Sequence, residues 1–480
     1  MRSTGTILIA PNEDGFGTSA WTVRLAKALC RETRTKLPVT VLVATEKRER
    51  FHQDKYESLP VELRRLSGVT ARIELVRSPA GSVDVPQSIR QAVLPYSESR
   101  AQYERAMREG ELLQEALLVV DWGVPQVVRA VALENAERAV APQNASGVGR
   151  RSGRIPSVTV FDHAWGLSLD KIIGGDATLC GSARRATGAI ITEIQNDEAL
   201  TDEVFLLPDP IAPLDYHGYW RRILGHRPRL IEGVLGGPLA ALEYARDSRL
   251  DEAVKSWQAN GGRCPAEVEY WAHSEARRLL GFRNDDPTLF VSGGGTAVWD
   301  DVLGRLIDSF RDSPPNYNVV VYSPSEAGRR DIKFRYVDQL ELGRAPGSDR
   351  VVFIDRVHGD THHVLFPAFD LVLTRAGGGT VNDAIACAVP LVLVEEPGMW
   401  QVEQIRQSCL RMGIAEGVSL SEFQRRPRAC VESGGKLKAL PRCQDRMRGV
   451  RHHGEMWLAR ELLAMFWNTA SHGCTGLTAE

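Results

Sequence analysis

Two stretches of the chain set three consecutive glycines between an apolar run and a helical pattern. In "FVSGGGTAVWDDVLGRL", Gly293, Gly294 and Gly295 lead to Thr296; in "LTRAGGGTVNDAIACAVPLVLVEE", Gly377, Gly378 and Gly379 lead to Thr380. A strand that ends in bare backbone just before a helix presents main-chain N–H groups, and the helix dipole at that end favours an anion. The threonine hydroxyl adds one more donor. Glycine also serves tight turns that need positive φ, so either stretch alone fits a plain turn equally well. Two such loops in one domain can grip a diphosphate from both sides, and that duplication favours the phosphate reading. Asp383 falls three residues past Thr380, in the first helical turn by this pattern. It either complements the dipole as part of a capping box or accepts both hydroxyls of a ribose, a vicinal diol found next to diphosphates.

Strands must carry these loops. Runs rich in Val, Ile and Leu occur at 6–11, 39–45, 72–78, 117–122, 157–162, 188–193 and 203–208. Most are continuously apolar rather than alternating, as strands covered on both faces are. Helix-period segments separate several of them, clearest in "SAWTVRLAKALCRE", with Trp21, Leu25, Ala28 and Leu29 on one face. A proline-dense stretch, "PDPIAPLDYHGYW", reads as a linker. A second strand and helix series follows at 288–295, 317–324, 351–356, 371–377 and 391–396. The expected fold is α/β with two doubly wound domains: 1–208, a linker at 209–225, and 226–450, with 226–280 a candidate helical insertion. The tail 451–480 carries a helix whose stripe of Trp457, Leu458, Leu462, Leu463 and Phe466 must pack on a core, with the N-terminal domain as candidate partner.

Bulk properties remove several function classes. At 480 residues the chain exceeds what one core supports, and 59 basic against 61 acidic residues leave no positive field for nucleic acid. No apolar stretch approaches a membrane span and "TILIAP" is too short for a signal-peptide core, so a cytoplasmic location is expected. The eight cysteines show no CxxC spacing, and the pairs His362–His363 and His452–His453 have no carboxylate at helical ligand spacing, so no metal is expected.

The stretch 371–413 resembles the nucleotide-sugar motif of GT-B glycosyltransferases, especially the lipid-linked N-acetylglucosaminyltransferase of peptidoglycan synthesis and the UDP-glycosyltransferases. The matching positions are Arg375, Ala376, Gly377, Thr380 and Asp383, then Glu403 and Gln404, with Gln407 and Ser408 where the family has Asn-Ala. The resemblance implies two Rossmann-like domains facing a cleft, a UDP or dTDP sugar donor and a metal-free diphosphate grip in which Arg375 supplies positive charge. It also implies a ribose acid at Asp383, which is one methylene shorter than the family's Glu, and donor-sugar contacts at Glu403 and Gln404. "FVSGGGTA" resembles the family's Gly-Gly-Ser-x-Gly loop. "FIDR", with Phe353 and Ile354, resembles its base-binding turn, where the Ile354 backbone would meet the pyrimidine. The resemblance is strong over about 288–418, weaker over 1–208 and absent over 226–280.

Where such transferases carry a Gly-x-Gly-His loop, this chain has Gly15, Phe16, Gly17 and then Thr18, which cannot act as a base near neutral pH. A group that removes the acceptor's proton is therefore sought at Asp14 with Glu13, or at Asp162 and His163 with Trp165 as a sugar-covering ring; Asp121 is a weaker candidate at the same sheet edge. The acceptor, a small molecule or glycolipid, has no signature. Three alternatives stand beside transfer. "GFGTSA" satisfies a dinucleotide G-x-G-x-x-A pattern, as an NAD-dependent oxidoreductase would. UDP-sugar 2-epimerases share the fold, and a non-catalytic nucleotide-sugar binder would lack the histidine.

Overall fold

The computed structural model describes all residues except 1–4, 13–16, 35–36, 54, 57–58, 71–75, 77–83, 141–153, 162–163, 175–180, 283–285, 294–299, 314, 323–333, 338–339, 345–349, 355–360, 433–440 and 473–480. Two sheets organise the chain. The first contains β1 (Thr6–Ala10), β2 (Val39–Val43), β3 (Val61–Arg65), β4 (Ala116–Asp121), β5 (Ser157–Phe161), β6 (Glu203–Leu206) and β7 (Arg229–Leu230), all parallel in the order β3-β2-β1-β4-β5-β6-β7. The second contains β8 (Thr288–Ser292), β9 (Asn318–Tyr322), β10 (Phe334–Val337), β11 (Leu340–Arg344), β12 (Val351–Ile354), β13 (Leu371–Arg375), β14 (Leu391–Val394) and β15 (Ala415–Val418), in the order β10-β11-β12-β9-β8-β13-β14-β15. Among the described strands β11 runs antiparallel to both of its neighbours, β10 and β12, and the other pairs of this sheet are parallel.

Both sheets are doubly wound, with the strand order reversing between β1 and β4 in the first and between β8 and β13 in the second. The central strands are buried along their whole length, which is why they read as unbroken apolar runs. Helices used below are α1 (Gly17–Glu32), α2 (Trp165–Gly174), α3 (Gly181–Glu198), α4 (Leu214–Leu224), α5 (Leu239–Tyr244), α6 (Leu250–Ala259), α7 (Gly378–Ala386), α8 (Trp400–Met412) and α9 (Gly454–His472). The run at 188–193, expected as a strand, lies inside α3, where Ile191 and Ile194 are buried on one helical face. The run at 72–78 lies mostly outside the described residues.

The proline-dense stretch 209–225 is not a linker. It folds into α4, whose Tyr216, Tyr219 and Trp220 sit in the core, and the chain then adds β7 to the first sheet. The crossing to the second unit comes later, at 231–238, and the chain returns at 451–454. The two crossing segments are hydrogen-bonded to each other: Val234 N–H donates to Arg451 C=O at 3.0 Å, and Gly454 N–H to Val234 C=O at 2.9 Å. Glycine is required here, because a Cβ on Gly233 (φ 102°) would lie 2.6 Å from the Arg451 oxygen, and one on Gly454 2.6 Å from the Gly233 oxygen.

After the return, α9 packs along α1, with Leu458 and Leu462 fully buried and Arg460 Nε donating to Glu32 at 2.9 Å. Trp457 meets Phe205 of β6 edge-on, with centroids 5.9 Å apart. On the other side of the junction α8 of the second unit packs on α2, and Trp400 meets Tyr216 at 5.8 Å. One continuous apolar cluster runs through both units. Among the described residues no helix is long and apolar enough to cross a membrane.

Candidate functional site

The two glycine loops leave neighbouring parallel strands. Ser292 of β8 is in register with Thr374 of β13, so the segments beginning at Gly293 and Ala376 emerge side by side at the carboxyl edge, at the reversal point of the second sheet. Open α/β sheets collect ligands at this place. Gly293 is buried; Gly294, Gly295 and Thr296 lie outside the described residues.

The second loop is described in full. Gly377 caps α7 with φ −70° and ψ 132°, and neither Gly378 nor Gly379 has positive φ. The bare run is therefore not a device for left-handed backbone. A Cβ built on Gly377 would meet nothing nearer than Arg375 Nε, 3.9 Å away, so the approach is open space. The first intrahelical bond runs from Val381 N–H to Gly377 C=O, which leaves the amides of Gly378, Gly379 and Thr380 without an intrahelical acceptor. All three residues are half-buried.

Arg375 ends β13 beside this loop. It is not a free cation: its Nη1 donates to both oxygens of Glu396 at 2.9 Å, and the side chains are 12% and 3% exposed. Glu396 thereby fixes the guanidinium and offsets part of its charge, while Nε, on the Gly377 side, has no acceptor among the described residues. Sequence reasoning missed Glu396, although the signal was present. Arg375 pairs in register with Val394, and "EE" follows directly.

Asp383 differs from expectation in two ways. It lies in the second turn of α7, not the first, and its carboxylate is engaged by Arg24 of α1, with Nη2 to Oδ1 at 2.8 Å and side chains 8% and 7% exposed. Arg24 Nη1 also donates to Leu235 C=O at 2.9 Å, and Asn382 bonds the Leu235 peptide on both sides. The acid expected to hold a ribose is thus tied, in this arrangement, to the first unit and to the crossing segment.

Ile354 is the last residue of β12 and lies in register between Leu342 and Tyr322; Phe353 is fully buried. Strands therefore flank Ile354 on both sides, and the turn that follows, 355–360, lies outside the described residues. On α8, Glu403 Oε1 accepts from Arg406 at 2.9 Å and from Gln407 at 2.6 Å, while its Oε2 is buried without a partner among the described residues. Gln404 is half-buried, and Ser408 donates to Asp209 of the first unit.

Across the junction, Asp14, Asp162 and His163 lie outside the described residues. Thr18 is buried and donates to Asn12 C=O at 3.0 Å, which ties the start of α1 to the end of β1. Trp165, expected to cover a sugar face, is 1% exposed and belongs to the core. Asp121 ends β4 in register with Ala10 of β1 and Thr159 of β5, where the strand order reverses. Burial pushes its carboxyl up to about 7, against hydrogen bonds from Thr159 Oγ1 at 2.7 Å and from the amides of Val124 and Gly123 at 2.9 Å. Glu198 is likewise raised to about 7, by burial first, while accepting from Tyr219 and from the Gly166 amide.

These raised carboxyls have a stability consequence. Between about 4.5 and 7 the folded chain holds a proton on Glu198 that the unfolded chain has released, so this contribution is present at low pH and is lost as pH rises through 7. The stability gap between Glu198→Gln and the parent is expected to shift in favour of the variant by on the order of 1 to 3 kcal/mol from pH 5 to pH 8. Denaturant unfolding at the two pH values measures it, and a gap flat in pH contradicts it.

Three solved structures similar to nearly the whole chain are glycosyltransferases. CalG4, the calicheamicin glycosyltransferase, is 14% identical over 98% of this chain and 99% of that one, with a TM-score of 0.52. UGT89C1 of Arabidopsis thaliana, complexed with UDP-L-rhamnose, is 11% identical over 98% and 100%, with a TM-score of 0.54. A UDP-glucosyltransferase from Polygonum tinctorium is 13% identical over 98% and 100%, with a TM-score of 0.53. At these identities the likeness establishes the fold, the two-domain GT-B arrangement. No protein-family model and no curated protein matches the chain.

Proposed function

We propose that the chain is a glycosyltransferase that moves a sugar from a nucleoside diphosphate, UDP or dTDP, to an acceptor hydroxyl seated over the carboxyl edge of the first sheet. The observation that carries this reading is the junction at 376–380, where three helix-start amides have no intrahelical acceptor, the space beside Gly377 is open and no glycine is needed for its φ. Departure of the diphosphate is the step these amides favour, since charge develops there and preorganised donors stabilise it without rearranging. Arg375, held by Glu396, offers its Nε to the same anion without a metal ion. Asp383 serves the ribose once Arg24 has another partner. Glu403 and Gln404 lie on α8, the helix packed against the first unit, which suits contact with a donor sugar in the cleft. The complexes with UDP-L-rhamnose and UDP-2fluoro-glucose among similar folds agree with this ligand class.

Removal of the acceptor proton belongs to the first unit. Asp14 and the pair Asp162 and His163 come in the sequence after β1 and β5, the strands on either side of β4, which ends in the buried Asp121. Asp121 is too enclosed to meet an acceptor, and its oxygens are held by Thr159 and by the amides of Gly123 and Val124. Replacing whichever of the three is the base is expected to lower turnover by about 100-fold or more while UDP affinity stays unchanged. Asp14→Asn, Asp162→Asn and His163→Gln, each assayed by UDP release and by calorimetry, locate it. Full activity in all three removes the assignment, and absence of UDP and dTDP binding in the parent removes the proposed function itself.

A further inference from the structure

Thr380 and Asp383 are three residues apart on α7, so their side chains share one face of the helix. From that face a carboxylate can meet the ribose of a nucleotide whose diphosphate rests on the amides of 378–380. Arg24 reaches the same carboxylate from α1 of the first unit, and its seat is built around it. Nη2 lies 2.8 Å from Asp383 Oδ1, and Nη1 donates to Leu235 C=O at 2.9 Å. The Leu235 peptide is itself fixed, its N–H donating to Asn382 Oδ1 at 2.9 Å and its C=O accepting from Asn382 Nδ2 at 2.6 Å. Gly236, the next residue, has φ 76°, and a Cβ there would lie 3.0 Å from Arg24 Nη1, so the backbone is bare where the guanidinium passes.

Two donors meet at Asp383 Oδ1, Arg24 Nη2 and Asn382 Nδ2, the latter at 3.2 Å. A carboxylate holds both hydroxyls of a vicinal diol by offering one oxygen to each, and that two-oxygen grip is closed while Oδ1 is occupied. Opening it means withdrawing the guanidinium from its partner where both side chains are more than nine-tenths buried. That step leaves a buried charge uncompensated, a cost that exceeds what one more hydroxyl contributes. Asp383 therefore gives a ribose both oxygens only after Arg24 has left it. With Arg24 in place Oδ2 alone remains, and it asks for a single hydroxyl. A 2′-deoxyribose brings one.

On the donor-site reading given above, we propose that Arg24, by holding Asp383, makes the site indifferent to the ribose 2′-hydroxyl. The chain then takes 2′-deoxyribonucleoside diphosphates, the dTDP class, as readily as ribonucleoside diphosphates, the UDP class. A carboxylate open to both hydroxyls would favour the ribonucleotide by about tenfold or more, the worth of one hydrogen bond to a charged group. Arg24 is a positioning residue: it decides what Asp383 can read and meets no part of the nucleotide itself.

Calorimetry on the full chain with UDP and 2′-deoxy-UDP, which share base and diphosphate, reads this directly. The parent is expected to bind the two within about threefold of each other. Arg24→Met is expected to open Asp383 and to bring the preference for UDP to about tenfold or more; Arg24→Gln takes its place if the methionine variant does not fold. Adding Asp383→Asn to the Arg24 change is expected to return the ratio to the parent's value, a reversal that lost packing does not produce. The proposal is overturned if the parent prefers UDP by more than about threefold, or if a folded Arg24 variant binds the two nucleotides in the parent's ratio. Failure of both nucleotides to bind the parent is a different result, since it removes the donor reading and this role of Arg24 with it. Both bound with UDP strongly preferred keeps the donor site and removes only the role of Arg24.

Discussion

Gly377→Val is expected to weaken UDP binding by at least about tenfold, or about 1.4 kcal/mol, without lowering the unfolding temperature. The backbone at this residue, φ −70° and ψ 132°, is a conformation that valine adopts readily, so the substitution adds no strain. It also narrows the unfolded ensemble, which on its own stabilises by a few tenths to about 1 kcal/mol. The new side chain projects into the space beside Arg375 Nε and the amides of Gly378 to Thr380, where the diphosphate is proposed to sit. Stability and affinity therefore move in opposite directions. Calorimetry of UDP binding together with a thermal melt measures both, and unchanged affinity with a folded variant removes the phosphate site from this loop.

Arg24→Met carries the larger stability effect. The arginine joins the two units through Asp383 and the Leu235 carbonyl, in surroundings where both charged side chains are more than nine-tenths buried. Removing one partner leaves a carboxylate without compensation in a poorly solvated place, a loss of about 3 to 5 kcal/mol. For units of this size that corresponds to a fall in unfolding temperature of roughly 6 °C or more. Pairing the change with Asp383→Asn removes the stranded charge and is expected to recover most of the loss. If the double variant is no more stable than the single one, the destabilisation comes from lost packing rather than from the ion pair.

The central strands and the glycine junction at 376–380 were legible in the sequence because strands buried on both faces cannot hide their composition. Strands at the edges were not. β3, "VELRR", is half exposed and β7 has two residues, so neither forms an apolar run. The segment at 188–193 misled for the opposite reason. Its isoleucines form a compact apolar group, but Ile191 and Ile194 are spaced for a helix, and the face they share is the face α3 buries. The position of the crossing was illegible because prolines at 208, 210 and 213 punctuate a segment that still folds into the first unit.

At the site, the residue types were readable and their partners were not. Nothing local to Asp383 announces that Arg24, hundreds of residues earlier, will lie against it; that contact exists only because the units meet as they do. Glu396 was closer to hand, since strand register alone brings it beside Arg375. Side chains that point across a fold are decided by topology, and a sequence reveals topology only in outline.

The hydrogen-bonded crossing of 231–237 with 451–454 governs how this molecule can flex and how it can be divided. A double-stranded strap behaves as an axle rather than a tether: the halves can rock about it, but sliding one past the other would tear the strap's rungs. It also makes the chain's two ends of manufacture interdependent. The half completed first keeps α1 without its cover until α9, synthesised after the second unit, comes back to lie on it.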